Sequence, residues 1–330
     1  MARVTVFGAG AMGTALAMHA ARQRLDVALW ANPFDERALE GLLSAGKHPA
    51  LPEHVPAGLA IHGPDELEQA AKGVEVAVMA STSDTARSLA GMVGDVVGEA
   101  RFLVSLAKGV ESDTGRRVSE VYLEEIPGPT FVCVGGPCLA AELATGSPSA
   151  AVWASADAGD ARAAGDPLAS PAYQLEHTDD VVGVEYCTTA KNVAAVGLGI
   201  LDGLAKISED TYRNAKAALF TKAVQEVCAL IEAVGGRRET VVGLAGVGDI
   251  LVTATGGRNR LYGELIGEGE EPEAALRQLE RRGMTVEGVS SAGDVDRLAE
   301  EHGLDLPYHR SVHRVLFEGA EPASVLDVLV

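Results

Sequence analysis

Five polar residues stand in otherwise apolar stretches of this 330-residue chain. Lys108 lies in SLAKGVE and Lys191 lies in VEYCTTAKNVAAVGLGI, while GLAGVGDILVTATGGRNR carries Asp249 and, further on, Arg258 and Asn259. Buried charges are costly unless they are paired. The pattern therefore has two interpretations. One is an anion pocket whose partners lie in distant parts of the chain; the other is a surface turn with a solvated Arg-Asn pair and a Lys191 side chain that reaches water.

A glycine-rich segment near the N-terminus has the spacing of a dinucleotide-binding loop. In VTVFGAGAMGTALA, Gly8, Gly10 and Gly13 follow a predicted strand and open a predicted helix, which is the context that gives the G-x-G-x-x-G pattern its meaning. Gly8 permits a tight turn, Gly10 lets the backbone approach a pyrophosphate, and Gly13 lets helix and strand pack closely. The helix N-terminus adds N–H groups and a positive dipole that favour the anion. The segment predicts dinucleotide binding in preference to a plain tight turn.

The end of the second predicted strand indicates which dinucleotide binds. An acid at this place selects NAD, whereas an arginine accepts the extra phosphate of NADP. The chain reads LWANPFDERA, with Asn32 at the expected position, Asp35 and Glu36 just beyond it, and Arg37 further along. Two nearby carboxylates would repel a 2′-phosphate, so we expect NAD as the cofactor. NADP is the alternative, through Arg37.

The elements that must position these residues change character along the chain. Before about residue 183, short β-branched runs alternate with Ala-rich helical stretches, which predicts a mostly parallel sheet with helices on both faces. The predicted strands are RVTVFGAG, LDVALWA, VEVAVMAS, RFLVSLA, TFVCVGG and SAAVWAS. Lys108 directly follows one of them, at the end where α/β sheets place ligands. The later predicted helices are EYCTTAKNVAAVGLGILDGLAK, NAKAALFTKAVQEVCALIEAVGG, PEAALRQLERRG and AGDVDRLAEEHG. The fold class is α/β: a Rossmann-type doubly wound sheet in residues 1–183 and an all-helical domain in residues 184–330.

Composition and charge exclude several classes of partner. The formal net charge of −20 argues against nucleic-acid binding and against a membrane surface, since both need basic patches. Asp202 interrupts the best candidate for a spanning helix, VAAVGLGILDGLA, and the N-terminal residues run straight into a strand without the apolar core of a signal peptide. The four cysteines show no C-x-x-C pair and no metal-ligand spacing with histidine. We expect a cytoplasmic protein with no metal and no membrane insertion.

Six blocks of the sequence, in order, resemble the NAD(P)-dependent glycerol-3-phosphate dehydrogenase family. They are GAGAMGTALA, SLAKGVE, GGPCLAAELATGSPSA, VEYCTTAKNV, GLAGVGDILVTATGGRNR and VEGVSSA. The resemblance spans nearly the whole chain and implies an oxidoreductase that interconverts sn-glycerol 3-phosphate and dihydroxyacetone phosphate with NAD(H) or NADP(H). It also implies a second domain of the 6-phosphogluconate dehydrogenase C-terminal type and a small phosphorylated substrate. A homodimer is expected, because a helical second domain often supports one.

The resemblance assigns a role to each residue that matches a family motif. The catalytic residues would be Lys191, Lys108 and Asp249. The substrate-binding residues would be Lys108, Gly136, Cys138, Asn192, Thr253, Gly257, Arg258 and Asn259. The cofactor-binding residues would be Gly8, Gly10, Ala11, Met12, Gly13, Asn32, Lys108, Ala140, Arg258 and Glu287.

Physical chemistry agrees with these roles. A hydride that reaches a carbonyl carbon develops an alkoxide, which needs a nearby cation and a proton donor. A lysine desolvated in an apolar helix has a lowered pKa, which suits Lys191 to acid–base work. Asp249 would then balance the two lysines, and the guanidinium fork of Arg258 would hold a phosphate with Asn259 beside it.

Several positions depart from the bacterial family pattern: Met12 for tryptophan, Asn32 near an expected arginine, Cys138 for serine, Leu139 for phenylalanine, Thr188 and Thr189 in place of the GALKN block, and Gly257 for serine. Substitutions close to the substrate leave a different polyol phosphate open as an alternative. A keto acid also stays open, since arginine binds carboxylates as well as phosphates. From another class, a dinucleotide-sensing regulator without turnover remains, although both lysines are present.

Overall fold

The β-branched runs of the N-terminal half form one sheet of eight strands in this computed structural model, which describes residues 3–112 and 114–330. The strands are β1 Arg3–Phe7, β2 Asp26–Trp30, β3 Ala60–His62, β4 Val76–Met79, β5 Phe102–Ser105, β6 Thr130–Gly135, β7 Ser149–Ala154 and β8 Tyr173–Thr178. Their order is β3-β2-β1-β4-β5-β6-β7-β8. Neighbouring strands are parallel except for β6 and β7, which are antiparallel. The α/β fold class with a doubly wound sheet is confirmed.

The central strands are buried along their whole length, as their unbroken apolar runs predicted. All four residues of β4 and of β5 are buried, which is typical of parallel strands covered on both faces. The sequence prediction missed β3 and β8, the two strands at the edges of the sheet. Most residues of β8 are half-buried or exposed, because an edge strand shares fewer contacts and does not need a continuous apolar run.

Helices account for most of the remaining chain. Those that accompany the sheet are α1 Ala11–Arg22, α2 Glu36–Ala45, α3 Leu67–Ala71, α4 Ala86–Val97, α5 Val118–Glu125, α6 Ala140–Thr145 and α7 Ala158–Gly165. The later ones are α8 Val181–Ile207, α9 Arg213–Ala233, α10 Arg238–Val242, α11 Asp249–Gly256, α12 Arg258–Gly267, α13 Pro272–Arg281, α14 Gly288–His302 and α15 Pro307–Phe317. Short 3-10 segments lie at Pro64–Glu66, Ser83–Thr85, Asp166–Leu168 and Pro322–Leu329, and a π-helical turn lies at Leu244–Gly248. Two compact units divide the chain, with the boundary between Val181 and Val182. Among the helices described, none combines the length and the hydropathy that crossing a bilayer would take.

Helices α8 and α12 pack with their backbones in direct contact. A Cβ atom at Gly199 of α8 would overlap the carbonyl oxygen of Arg260, and one at Gly263 of α12 would overlap that of Val196. Gly203 and Gly267, one turn further along each helix, make the same kind of approach. Only glycine allows such proximity. The crossing fixes the register of the two helices that carry Lys191, Asn192, Arg258 and Asn259.

Candidate active site

Each of the three glycines of the N-terminal loop is required for a different structural reason. Gly8 has φ +115°, and a Cβ there would lie 2.5 Å from the carbonyl oxygen of Ala80. A Cβ at Gly13 would overlap the carbonyl oxygen of Gly8 and lie 2.6 Å from the Cβ of Ala80. Gly10 has no atom within 4 Å of its Cβ position. Its backbone therefore faces open space at the start of α1, as an incoming pyrophosphate requires.

These glycines give a prediction with a built-in control. We expect Gly13→Ala to lower the free energy of unfolding by about 1–3 kcal/mol, because the new methyl group meets backbone that cannot move aside. Gly10→Ala should change stability by less than about 1 kcal/mol, yet lower dinucleotide affinity about tenfold by narrowing the approach to the backbone. Denaturant unfolding and NADH titration measure the two effects. Equal loss of stability in both variants would contradict the distinction.

The connection after β2 contacts the glycine loop directly. The backbone N–H of Ala9 donates to Oδ2 of Asp35 at 2.8 Å, and the N–H of Asn32 donates to the same oxygen at 3.0 Å. The side-chain oxygen of Asn32 accepts from the N–H of Phe34 at 2.8 Å. Asn32 thus shapes the turn, and Asp35 holds the loop. The sequence indicated Asp35 only as a nearby charge, because its contact with Ala9 has no local signal.

Lys108 lies at the carboxyl end of β5, as predicted. Its Nζ donates to the carbonyl oxygen of Gly136 at 3.5 Å, and Gly136 follows β6, the strand paired with β5. Cys138 comes two residues later and lies partly against the core. Burial raises the pKa of the neighbouring Tyr173 hydroxyl, and the adjacent Cys138 raises it further. Ala140 opens α6 immediately beyond.

Lys191 and Asp249 form a buried ion pair in the helical unit. Lys191 Nζ lies 2.6 Å from Asp249 Oδ1, and the two side chains are only 5% and 2% exposed. Thr253 Oγ1 lies 3.5 Å from both of these atoms, one turn along α11 from Asp249. The π-helical turn Leu244–Gly248 ends where Asp249 begins α11; such turns occur frequently at functional sites. The carboxylate stabilises the protonated ammonium, and each charge needs the other in this environment.

Two buried asparagines connect α8, α12 and the start of α14. Asn259 Nδ2 donates to Asn192 Oδ1 at 2.8 Å, and Asn259 Oδ1 accepts from the N–H of Gly288 at 2.9 Å. Asn192 Nδ2 donates to Ser291 Oγ at 3.3 Å and lies 3.5 Å from Glu287 Oε2. The amides brace Lys191's helix, since Asn192 is its neighbour in sequence. Ser291 was missed by sequence analysis, because a serine in a helix carries no distinctive spacing.

Arg258 stands at the first position of α12, directly after Gly257, which is the N-cap residue. Its side chain is 51% exposed, and Nη2 lies 3.8 Å from Glu287 Oε1. This separation is longer than a hydrogen bond. The guanidinium therefore remains accessible to an anion from solvent, close to a carboxylate that limits its movement.

The helical unit thus brings together most of the residues predicted for it. Lys191, Asp249 and Thr253 form one cluster, and the second contains Asn192, Asn259, Arg258 and Glu287. In the sheet unit, Gly8, Gly10, Ala11, Met12 and Gly13 form the loop and the first turn of α1. Met12 and Ala11 are half-buried there.

Comparison with known proteins agrees with this arrangement. The profile of the NAD-dependent glycerol-3-phosphate dehydrogenase N-terminus matches residues 3–161, and that of the C-terminus of the same family matches residues 180–327. A glycerol-3-phosphate dehydrogenase [NAD(P)+] of Salinibacter ruber is 35% identical over 99% of this chain and 94% of its own length. An NADP(+)-dependent glycerol-3-phosphate dehydrogenase of Archaeoglobus fulgidus is 31% identical, covering 98% of this chain and 97% of the relative. The crystal structure of a glycerol-3-phosphate dehydrogenase from Coxiella burnetii has a TM-score of 0.88 at 30% identity, covering 99% of this chain and 98% of that one.

A mostly parallel sheet with a glycine-rich loop after its first strand, followed by a helical unit, is the architecture of two-domain dinucleotide-dependent dehydrogenases. The chain belongs to the NAD-dependent glycerol-3-phosphate dehydrogenase family.

Proposed function

We propose that this protein is an enzyme, an NAD(P)-dependent oxidoreductase that interconverts sn-glycerol 3-phosphate and dihydroxyacetone phosphate. The observation that carries the proposal is the buried Lys191–Asp249 pair, 2.6 Å apart, in the same unit as the accessible Arg258. Relatives that share more than 30% identity over nearly the full length carry the same activity in their names. The open backbone at Gly10 and the φ of Gly8 fit a dinucleotide pyrophosphate.

The residues of the helical unit supply the proton and the charge stabilisation. A dinucleotide held at the loop of Gly8, Gly10 and Gly13 would supply a hydride from its nicotinamide C–H bond to the carbon that bears the oxygen, and would take it back in the reverse direction. When the carbonyl is reduced, Lys191 donates a proton from Nζ to its oxygen, so that an O–H bond forms while an N–H bond of the ammonium breaks. Asp249 holds the Lys191 side chain in place through their buried ion pair. In the reverse direction, Lys191 accepts the proton from the alcohol.

The remaining roles are proposals that rest on position and on family resemblance. Arg258 holds the substrate phosphate through its fork, with Asn259 and Gly257 beside it. Asn192 and Thr253 orient Lys191 and the substrate hydroxyl. Lys108, Gly136 and Cys138 are the other proposed substrate-binding residues. The proposed cofactor contacts are Gly8, Gly10, Ala11, Met12, Gly13, Asn32, Lys108, Ala140, Arg258 and Glu287. Residues 1–183 would then be the dinucleotide-binding domain and residues 184–330 the substrate-binding domain.

A substrate comparison tests the proposed function. We expect NADH oxidation to be fastest, by kcat/KM, with dihydroxyacetone phosphate among a panel that includes longer keto phosphates and 2-keto acids. Preference for a longer keto phosphate would assign a different polyol phosphate, and preference for a 2-keto acid would contradict the phosphate assignment. Dinucleotide binding without turnover of any substrate would instead support a sensing protein.

We further propose that the enzyme acts in the cytoplasm as a homodimer. Its four cysteines, all within the described residues, form no disulfide, which is typical of proteins in a reducing compartment. A helical second unit of this kind often supports a dimer.

A further inference from the structure

Lys108 lies in a loop whose backbone is fixed shortly before and directly after it. On the strand side, the N–H of Leu106 donates to the carbonyl oxygen of Met79 at 3.0 Å, which continues the pairing of β5 with β4. On the other side, Gly109 has φ +117°, and a Cβ there would lie 3.0 Å from Oγ of Ser83. The chain therefore turns directly after Lys108, and it turns against the 3-10 segment that precedes α4.

Glu111 connects this loop to α4 through a two-point ion pair. Its Oε1 accepts from Nε of Arg87 at 2.8 Å, and its Oε2 accepts from Nη2 of the same guanidinium at 3.1 Å. Oε2 also accepts from Oγ1 of Thr114 at 2.6 Å. Hydrogen bonding from Arg87 lowers the pKa of the buried Glu111 below its ordinary value, so the carboxylate is charged at neutral pH. Two parallel charge-assisted hydrogen bonds fix the orientation of both planar groups.

A second carboxylate holds the next residue of the loop. Asp84 Oδ1 accepts from the N–H of Ser112 at 3.2 Å and from its Oγ at 2.7 Å. Asp84 lies in the same 3-10 segment, and Arg87 lies in the first turn of α4. Residues 83–87 thus contact the loop at Gly109, Glu111 and Ser112, all within four positions of Lys108.

Arg87 also has carboxylate partners outside the loop. Its Nη1 donates to Oε2 of Glu124 at 3.3 Å and contacts Oε1 of Glu125, both on α5. The Nε edge of the guanidinium, which forms the two-point pair, is directed to Glu111 alone among these three carboxylates. Arg87 therefore offers two separable interactions: one with the Lys108 loop and one with α5.

We propose that Arg87 and Glu111 are positioning residues, which hold the loop so that the ammonium of Lys108 is oriented towards the substrate. The proposal rests on the proposed function, which gives Lys108 a reaction to serve. A lysine ammonium lies at the end of a flexible four-carbon stem, so its placement depends on the backbone that anchors the stem. Misplacing a reacting group by about 1 Å can cost about 10²-fold in rate.

A double-mutant cycle tests whether Glu111 acts through Lys108. Glu111→Gln keeps the shape of the side chain but removes its charge and one of its two acceptor oxygens. Lys108→Met keeps an apolar stem but removes the ammonium. The measured quantity is kcat/KM for dihydroxyacetone phosphate reduction in the wild type, in each variant and in the double variant.

We expect Lys108→Met to lower kcat/KM by about 10²-fold, because a positioned charge near the developing alkoxide is lost. Glu111→Gln should lower it about tenfold in the wild-type background. In the Lys108→Met background the same substitution should change it by less than about twofold, because the ammonium that Glu111 orients is absent. A merely structural role would instead lower kcat/KM by the same factor in both backgrounds.

Two further variants separate the loop contact from folding. Arg87→Lys keeps a cation next to Glu111 but lacks the bidentate fork, and its loss of kcat/KM should also vanish in the Lys108→Met background. Glu125→Gln is the matched control, since it removes a carboxylate partner of Arg87 that lies on α5, and it should change kcat/KM by less than about twofold. A thermal unfolding curve for each variant identifies the proteins that are folded at the assay temperature.

The outcomes distinguish the proposal from its basis. Equal factors for Glu111→Gln in both backgrounds would overturn the proposal while the proposed function stands, and so would unchanged kcat/KM in Glu111→Gln or in Lys108→Met. A folded wild type that does not reduce dihydroxyacetone phosphate would contradict the proposed function. It would overturn the present proposal with it, because Lys108 would then have no reaction to serve.

Discussion

Lys191→Ala is expected to lower kcat for dihydroxyacetone phosphate reduction by about 10³-fold, within the range that positioned general acids contribute. The variant lacks both the proton donor and the positive charge that stabilises the developing alkoxide. NADH binding should be retained, because the glycine loop lies in the other unit of the chain. Steady-state kinetics and a separate NADH titration measure the two quantities.

The substitution also leaves Asp249 buried without its partner, a change that costs about 3–5 kcal/mol in comparable cases. Lys191→Arg separates loss of proton transfer from loss of folding. It keeps a positive charge next to Asp249 but cannot release a proton near neutral pH. Both variants should be inactive if Lys191 transfers the proton. Lys206→Ala is the control on the same helix, about four turns away, where the side chain is 55% exposed and paired with Glu264 and Glu268. Unchanged turnover in Lys191→Ala would remove Lys191 from the proposed mechanism.

Sequence reasoning succeeded where local pattern and burial coincide. Continuous apolar runs predicted the central strands, since each is covered on both faces. The G-x-G-x-x-G spacing predicted the loop, because the pattern lies within one β-strand, turn and helix; the contact of Gly8 and Gly13 with Ala80, after β4, had no such local signal. The edge strands β3 and β8 lack such a run, and no local signal distinguished them from loops.

Contacts between distant segments were beyond the reach of spacing alone. The hydrogen bond from Ala9 to Asp35 joins two residues 26 positions apart, and nothing near Asp35 marks it as the partner of the loop rather than as an ordinary cap for α2. The backbone contact of α8 with α12 has a visible signal afterwards: glycines four residues apart in both helices, Gly199 with Gly203 and Gly263 with Gly267. From the sequence alone, each pair of glycines indicates only two positions of low helix propensity, and its packing role becomes visible once the partner helix is known.

At Asp249, the sequence pattern and the structure each supply part of the explanation. The sequence raised the question of an acid in an apolar stretch and predicted a cationic partner. Its immediate surroundings, a π-helical turn followed by α11, were not predictable from an apolar and glycine-rich segment. The turn matters because it sets the rotation at which Asp249 enters α11, and Thr253 follows one turn later beside the same lysine.

Arg258→Ala is expected to remove most of the enzyme's preference for a phosphorylated substrate. A bidentate, charge-assisted pair of hydrogen bonds to phosphate contributes about 3 kcal/mol, which corresponds to about 10²-fold in kcat/KM. The kcat/KM for dihydroxyacetone, which lacks the phosphate, should fall far less. The measured quantity is therefore the ratio of kcat/KM for dihydroxyacetone phosphate to that for dihydroxyacetone, and it should fall about 10²-fold in the variant.

This ratio distinguishes phosphate binding from a general loss of structure, because damage to the lysine cluster would lower kcat/KM for both substrates by the same factor. Arg260→Lys is the matched control. Arg260 lies two residues further along α12, where its guanidinium is occupied by Asp202 and Glu264, and the lysine variant should preserve the ratio. An equal decline for both substrates in Arg258→Ala would show that the guanidinium does not recognise the phosphate. Arg258 would then be paired with Glu287 for structural reasons, and the anion site would have to involve other cations of the chain.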